Sequence, residues 1–384
     1  MLAAYLSCLR GLDGEGIRPE VAAGKMVAVF GAGPRFFMEA AKFRAARMLL
    51  SSLLTECGVP PDRHKVHLLG RTGTWNKTLL DPHVNILRAV TETLSMVFGG
   101  CDTIATGLFN ERVGGDSFAA RIAQNIQILL KEESHLDEVV DPGGGSYHLE
   151  SITAELCDRA WACFQDIERE GGLGRALEKG SLQEMVRETV AKRKKEIGRR
   201  KEVLVGTSMY VDIAEPLSRA ESRHLEQNSI EPFVAGAGYE ELRTAADMYR
   251  AAHGHLPRAF LLTMGPLAQH KARADFSRSV LEPGGFEVVY PNGFSCVEEA
   301  VAAAEASGAE LYVLCSTDES YPDLVPSVGA ALKQSMPGAY LVLAGFPEEH
   351  VEAFKAAGID ELLHVRADNL SLLRTFQQKT GVAR

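Results

Sequence analysis

The feature that most limits the fold is a repeated unit: a short apolar run, a glycine or turn residue, then a helical pattern. It first appears at 26–33, MVAVFGAG, ahead of a helical pattern from Phe36 to about Leu54. HKVHLLG at 64–70 is followed by a helix over 81–100, and DTIATG at 102–107 by a helix over 117–134. The turn DPGGGS at 141–146 leads into a helix from about Ser151 to Glu170, and VLVG at 203–206 reads as one more short strand. Strands that alternate with helices need crossover connections, so the sheet is parallel and the class is α/β.

A second block starts at Arg258. The runs AFLLTM, FEVVYP, LYVLCS, AYLVLAG and ELLHV alternate with helices expected over 267–281, 295–307, 323–335 and 348–357. This is the flavodoxin-like, doubly wound pattern over 258–384. Residues 207–257, with Pro216 and Pro232, read as a polar connector carrying a helix near 239–253. The first block, 1–206, offers four or so βα repeats, half of what a (β/α)8 barrel needs. Half a barrel leaves strand edges and an apolar inner face open. The expected architecture is therefore a partial (β/α)8 barrel, its C-terminal half, followed by a flavodoxin-like domain. Another chain, or a preceding half of the polypeptide, would supply the missing strands.

Charge narrows the partners. A net charge of -10 and a pI near 5.6 argue against nucleic acid. The run KRKKEIGRRK, inside the charged segment 181–201, reads as a solvated helix face. No apolar run reaches membrane-spanning length. MLAAYLSCLRGLDGEG at the start has no basic residue ahead of its apolar stretch and makes a poor signal peptide. Seven dispersed cysteines without a CxxC read as reduced thiols of a cytoplasmic protein, with Cys157 and Cys163 buried.

Several local motifs read as ordinary structure. His64 and His67, three apart on a strand, face opposite sides and do not share a metal. GAGP at 31–34 lacks the third glycine of a dinucleotide loop, and DPGGGS lacks the Gly-Lys-Ser/Thr of a phosphate loop.

The phrases FFMEAAKFRAARML (36–49), TWNKTLLDPHVNILRAVTETL (74–94) and FAARIAQNIQILLKEESHLDEVVDPGGGSYHLE (118–150), with the terminal α/β block, resemble the methylmalonyl-CoA mutase family, specifically its small-subunit branch. The resemblance covers nearly the whole chain, is strong over 30–172 and weak over 207–255. It implies a barrel that threads acyl-CoA along its axis and a flavodoxin-like domain of the type that holds adenosylcobalamin. The large subunit rearranges methylmalonyl-CoA and succinyl-CoA, and the small subunit pairs with it without chemistry of its own. Here the match starts partway through the barrel, and the half that carries the catalytic His and Tyr has no counterpart.

The resemblance also assigns positions. Cobalamin-binding members carry Asp-x-His-x-x-Gly, the His ligating cobalt and the Asp fixing its tautomer. The matching residues are Ala268, His270 and Arg273. His270 is the candidate cobalt ligand and metal site, and reads as a loop histidine at the mouth of a degenerate pocket. Ser316, beside Thr317, and Gly345 match the Ser-rich strand end and the glycine turn against which the cofactor packs. A CoA-contacting His-x-Gln pair falls on Leu69 and Arg71, and a CoA-contacting Arg and Ser fall on Lys25 and Val27. An Asn and a Glu that hold the cofactor's ribose fall on Gly107 and Glu111. The candidate residues are thus His270, Ser316, Gly345 and Glu111 for cofactor and Lys25 for substrate, all read as vestigial, with no catalytic residue. The chain is expected to bind no cofactor alone, to turn over no methylmalonyl-CoA alone, and to partner the large catalytic subunit. A binding module for acyl-CoA or a corrinoid, or one half of a split active mutase, are the alternatives.

Overall fold

The computed structural model describes residues 1–215 and 232–383. These divide into two compact units. The first holds Met1–Lys77, Pro82–Val190 and 232–234; the second holds Thr78–Asp81 and the other described residues from Ala191 onward. Residues 216–231 of the expected connector, Pro216 among them, lie outside the described residues.

In the first unit, α1 (Leu2–Gly14) and α2 (Pro19–Ala23) precede β1 (Val27–Ala32), α3 (Phe36–Glu56), β2 (His67–Thr72), α4 (Val84–Phe98) and β3 (Thr103–Ala105). Helices α5 (Ser117–Glu132), α6 (Tyr147–Arg169) and α7 (Gly172–Lys179) follow, and α8 (Ser181–Gly198) is divided between the two units at Val190. The strands form one parallel sheet in the order β1-β2-β3, with Val29 opposite Leu69 and Leu69 opposite Thr103. The unit therefore has three strands among the described residues, one fewer than the repeats suggested. VLVG is not a strand: it contributes a single bridge, Val205 to Met209, because the left-handed Gly206 (φ 77°) turns the chain at once.

One face of this sheet is covered. Leu2, Tyr5, Leu6 and Leu9 of α1, Leu49 to Leu54 of α3 and Phe164 of α6 build a core with Ala28 and Leu68 of the strands. The apolar N-terminal stretch is thus a core helix. Gly70 of β2 leaves the space that Met96 and Cys101 fill; a Cβ there would lie 2.4 Å from Met96 Sδ. Cys157 and Cys163, expected to be buried, are half-buried on α6. The opposite face is open: Val27 is 50% and Val29 58% exposed, and His67 and Arg71 on β2 are exposed too.

The second unit adds α9 (Ala237–His253), β4 (Arg258–Thr263), α10 (Leu267–Leu281), β5 (Glu287–Val289), α11 (Val297–Ser307) and β6 (Leu311–Cys315). It ends with α12 (Tyr321–Ser335), β7 (Tyr340–Ala344), α13 (Val351–Ala356), β8 (Glu361–Leu363) and α14 (Asn369–Lys379). All its pairings are parallel and the order is β5-β4-β6-β7-β8. One face packs Leu262, Leu314 and Leu343 against Ala300 and Ala304 of α11 and Val325, Val328 and Leu332 of α12. On the other face α10 lies on β4 and β6, and α14 lies against α9. Each fully buried Leu or Val contributes about 1.5–3 kcal/mol. Helix α14, capped by Asp368 accepting from Ser371 N (3.0 Å), has no counterpart in the expected pattern. Helix α9 is held to it by Gln377, which donates to Leu242 O at 2.8 Å.

Candidate functional site

Parallel sheets carry their ligand sites at the carboxyl ends of the strands. In the first sheet these ends are tied together. Gly73 N–H donates to Ala32 O (2.6 Å) and Gly107 N–H to Thr72 Oγ1 (2.8 Å). Trp75 stacks on Phe233, ring centroids 5.9 Å apart. Beside it Lys77 Nζ reaches both carboxylate oxygens of Glu92 at 2.7 Å, and Asn76 Nδ2 donates to Glu92 Oε1 at 2.7 Å. Lys77 and Glu92 are 3% and 0% exposed. Burial pushes the Lys77 ammonium below its ordinary range and the Glu92 carboxyl above its own, each offset by the partner's charge. Sequence reasoning missed this knot. Its signal was an Asn-Lys pair on the loop after β2 and a lone Glu on the apolar face of α4.

Glu111 lies beyond the carboxyl end of β3, half-buried, 3.7 Å from Arg71 Nη2. Lys25 sits two residues ahead of β1, at the amino end of the same sheet. The structure therefore does not bring Lys25 and Glu111 together. The other motifs are structural. His64 is held by Ser51 Oγ and Val59 O, both at 2.8 Å, while His67 meets Thr103 Oγ1 at 2.9 Å. In DPGGGS, Arg44 pairs with Asp141 and Glu150, and Gly145 N–H is taken by Glu150 at 3.0 Å. Among the described residues no group of three or more His, Cys, Asp or Glu could hold a metal ion.

In the second sheet the order reverses at β4, which has β5 on one side and β6 on the other. His270, Ser316 and Gly345 do converge on this end of the sheet. Ser316, fully buried after β6, donates from Oγ to Met264 O beyond β4 (3.1 Å). Its N–H reaches Tyr321 Oη at 3.1 Å, and that hydroxyl donates to Ala344 O at 2.6 Å. Arg273 Nη1 donates to the same carbonyl at 2.7 Å, and Nη2 pairs with Asp318 at 2.8 Å. The guanidinium carbon stands 5.9 Å from the Tyr321 ring centroid. Gly345, at φ 149°, gives it room: a Cβ there would lie 2.0 Å from Arg273 Nη1.

His270 is not a loop residue. Pro266 opens α10 immediately after Gly265, which puts His270 in the first turn of the helix, 0% exposed. Its Nδ1 is 3.0 Å from Gly265 O, and its Nε2 has no partner. A corrin bound through this imidazole needs the ring at the surface, a carboxylate to orient it and close backbone approach. The ring is enclosed, position 268 is Ala rather than a carboxylate, and position 273 carries Arg where close backbone approach calls for glycine. These residues do not fit the adenosylcobalamin that the family resemblance implies.

Comparison with known proteins gives the family. The model described as methylmalonyl-CoA mutase matches residues 2–241. The chain is 37% identical to the methylmalonyl-CoA mutase small subunit of Porphyromonas gingivalis, over 99% of this chain and 62% of that protein. It is 35% identical to the small subunit of Streptomyces virginiae, over 100% of this chain and 61% of that one. Identity to the methylmalonyl-CoA mutase of Cereibacter sphaeroides is 26%, over 91% and 60%. The chain thus spans about three fifths of the length of the curated relatives it matches. Parallel α/β sheets, the quoted motifs and a family match over more than half of its length lead to one conclusion: this chain belongs to the methylmalonyl-CoA mutase family.

Proposed function

We propose that this chain serves as the small, non-catalytic subunit of a heteromeric methylmalonyl-CoA mutase. It braces a large subunit that interconverts methylmalonyl-CoA and succinyl-CoA with adenosylcobalamin. The observation that carries this reading is the match, across essentially the whole chain, to proteins named as that small subunit. The geometry supports it. Lys77 and Glu92 neutralise each other, Arg273 is bound by Asp318 and Ala344, and His270 is enclosed.

The first unit reads as part of a (β/α)8 barrel, with the domain over 1–206. The second reads as a flavodoxin-like domain over 258–384, and 207–257 as the segment between. The order β5-β4-β6-β7-β8 supports the flavodoxin-like reading, since it places the first strand of the unit between the second and the third. Seven free cysteines accord with a reducing, cytoplasmic setting, and no helix among the described residues is long and apolar enough to cross a membrane. Co-expression with a large mutase subunit tests the proposal. The two should co-purify, with turnover only in the complex; cobalamin-dependent turnover by the purified single chain overturns it.

A further inference from the structure

An open α/β sheet takes its ligand in the crevice at the strand-order reversal, outside the carboxyl ends of the strands. In this chain that crevice is closed by the chain's own side chains, in three layers. Innermost, Ser316 Oγ on the loop after β6 donates to Met264 O after β4 (3.1 Å), directly across the reversal. Next, Tyr321, 0% exposed, joins the Ser316 N–H to Ala344 O. Outermost, Arg273 reaches from α10 over the strand ends to Ala344 O and Asp318, with the Tyr321 ring beneath it. Its side chain keeps 28% of its exposure, as an outer stopper should.

We infer that Arg273 determines ligand exclusion in the second unit: its bridge to Asp318 and Ala344 plugs the crevice against a planar macrocycle. Three features set this bridge apart from an ordinary surface ion pair. The guanidinium uses both terminal nitrogens on two separate segments, the end of β7 and the loop after β6, as suits a planar fork. One acceptor is a main-chain carbonyl at the very end of β7, so the contact pins the strand end itself. The residue after that carbonyl is Gly345, the residue type that leaves the guanidinium its space. Removing the Arg273 side chain vacates this space above Tyr321 and frees the loop that carries Asp318.

This inference rests on the small-subunit reading, and its test separates the two. Equilibrium dialysis of the full chain against hydroxocobalamin, with the visible spectrum recorded, compares wild type with Arg273→Ala. Wild type should bind only weakly, and Arg273→Ala should bind on the order of tenfold more tightly. A folded Arg273→Ala that retains no more than wild type overturns the plug while leaving the small-subunit reading untouched. Wild type that binds as tightly as the variant overturns it as well. The small-subunit reading stands or falls separately, on co-purification and single-chain turnover. If Arg273→Ala does not fold, Asp318→Asn releases the outer end of the bridge without touching the core. Amide exchange at 316–320 and 344–346 should then quicken severalfold, and unchanged exchange there refutes the plug.

Discussion

The strand sequences VAVFGA and LYVLC are both apolar, yet they meet different fates. Every residue of β6 is buried, whereas β1 buries Ala28 and Ala32 and leaves Val27 and Val29 at least half exposed. The difference lies in the layers around them. Among the described residues, helices cover both faces of the second sheet and one face of the first. A parallel sheet is stable when both faces are covered, and its strands are written as continuous apolar runs for that reason. β1 is such a run with one face covered among the described residues. At its strand ends the first unit also carries a buried polar knot of Asn76, Lys77 and Glu92.

The contrast can be broken by substitution. The largest effect is expected at the knot. Lys77→Ala strands a buried carboxylate and should cost about 3–5 kcal/mol in urea unfolding; a loss below about 1 kcal/mol would mean that helix packing alone holds the first unit. Next comes Leu262→Ala in the two-sided core, expected to cost about 2–5 kcal/mol. A smaller, pH-dependent effect belongs to Asp102. Burial alone would raise its carboxyl, but the Leu68 N–H and the Arg47 guanidinium outweigh burial and hold it below its ordinary value. A carboxylate depressed in the fold stabilises above its unfolded value, near pH 4, and that contribution fades as pH falls through the lower folded value. Thermal midpoints measured from pH 5 downward should therefore fall less steeply in Asp102→Asn than in wild type. Smallest is Val29→Ala on the open face, expected within about 0.5 kcal/mol of wild type in the chain alone. If it costs as much as Leu262→Ala, that face is not open and the comparison fails.

Much of this was legible where periodicity and stops agree. Helix α10 was expected over 267–281 and spans Leu267–Leu281, because Gly265 and Pro266 mark its start and Glu282 and Pro283 its end. The five strands of the second unit were legible because each apolar run is bounded by turn residues. VLVG failed because a run of four has no periodicity to weigh, and pairing is decided by neighbours the run does not name. The site was legible in membership and not in geometry. Ser316, Gly345 and His270 do converge, but nothing local in MGPLAQHKAR says that the first turn of the helix faces the sheet and draws the imidazole inside. Tyr321 and the Lys77–Glu92 pair were missed for a shared reason: each acquires its role through a residue far along the chain, Ala344 in one case and an α4 carboxylate in the other.

Gly345 has a consequence for how this domain can change. Any side chain there collides with the guanidinium of Arg273, and φ 149° strains a non-glycine backbone besides. A side chain at 345 would therefore push the guanidinium off Ala344 O, and the left-handed backbone there would still favour glycine if Arg273 were shortened. The end of β7 is thus held by a residue pair in which the smaller member sets how far the larger can reach.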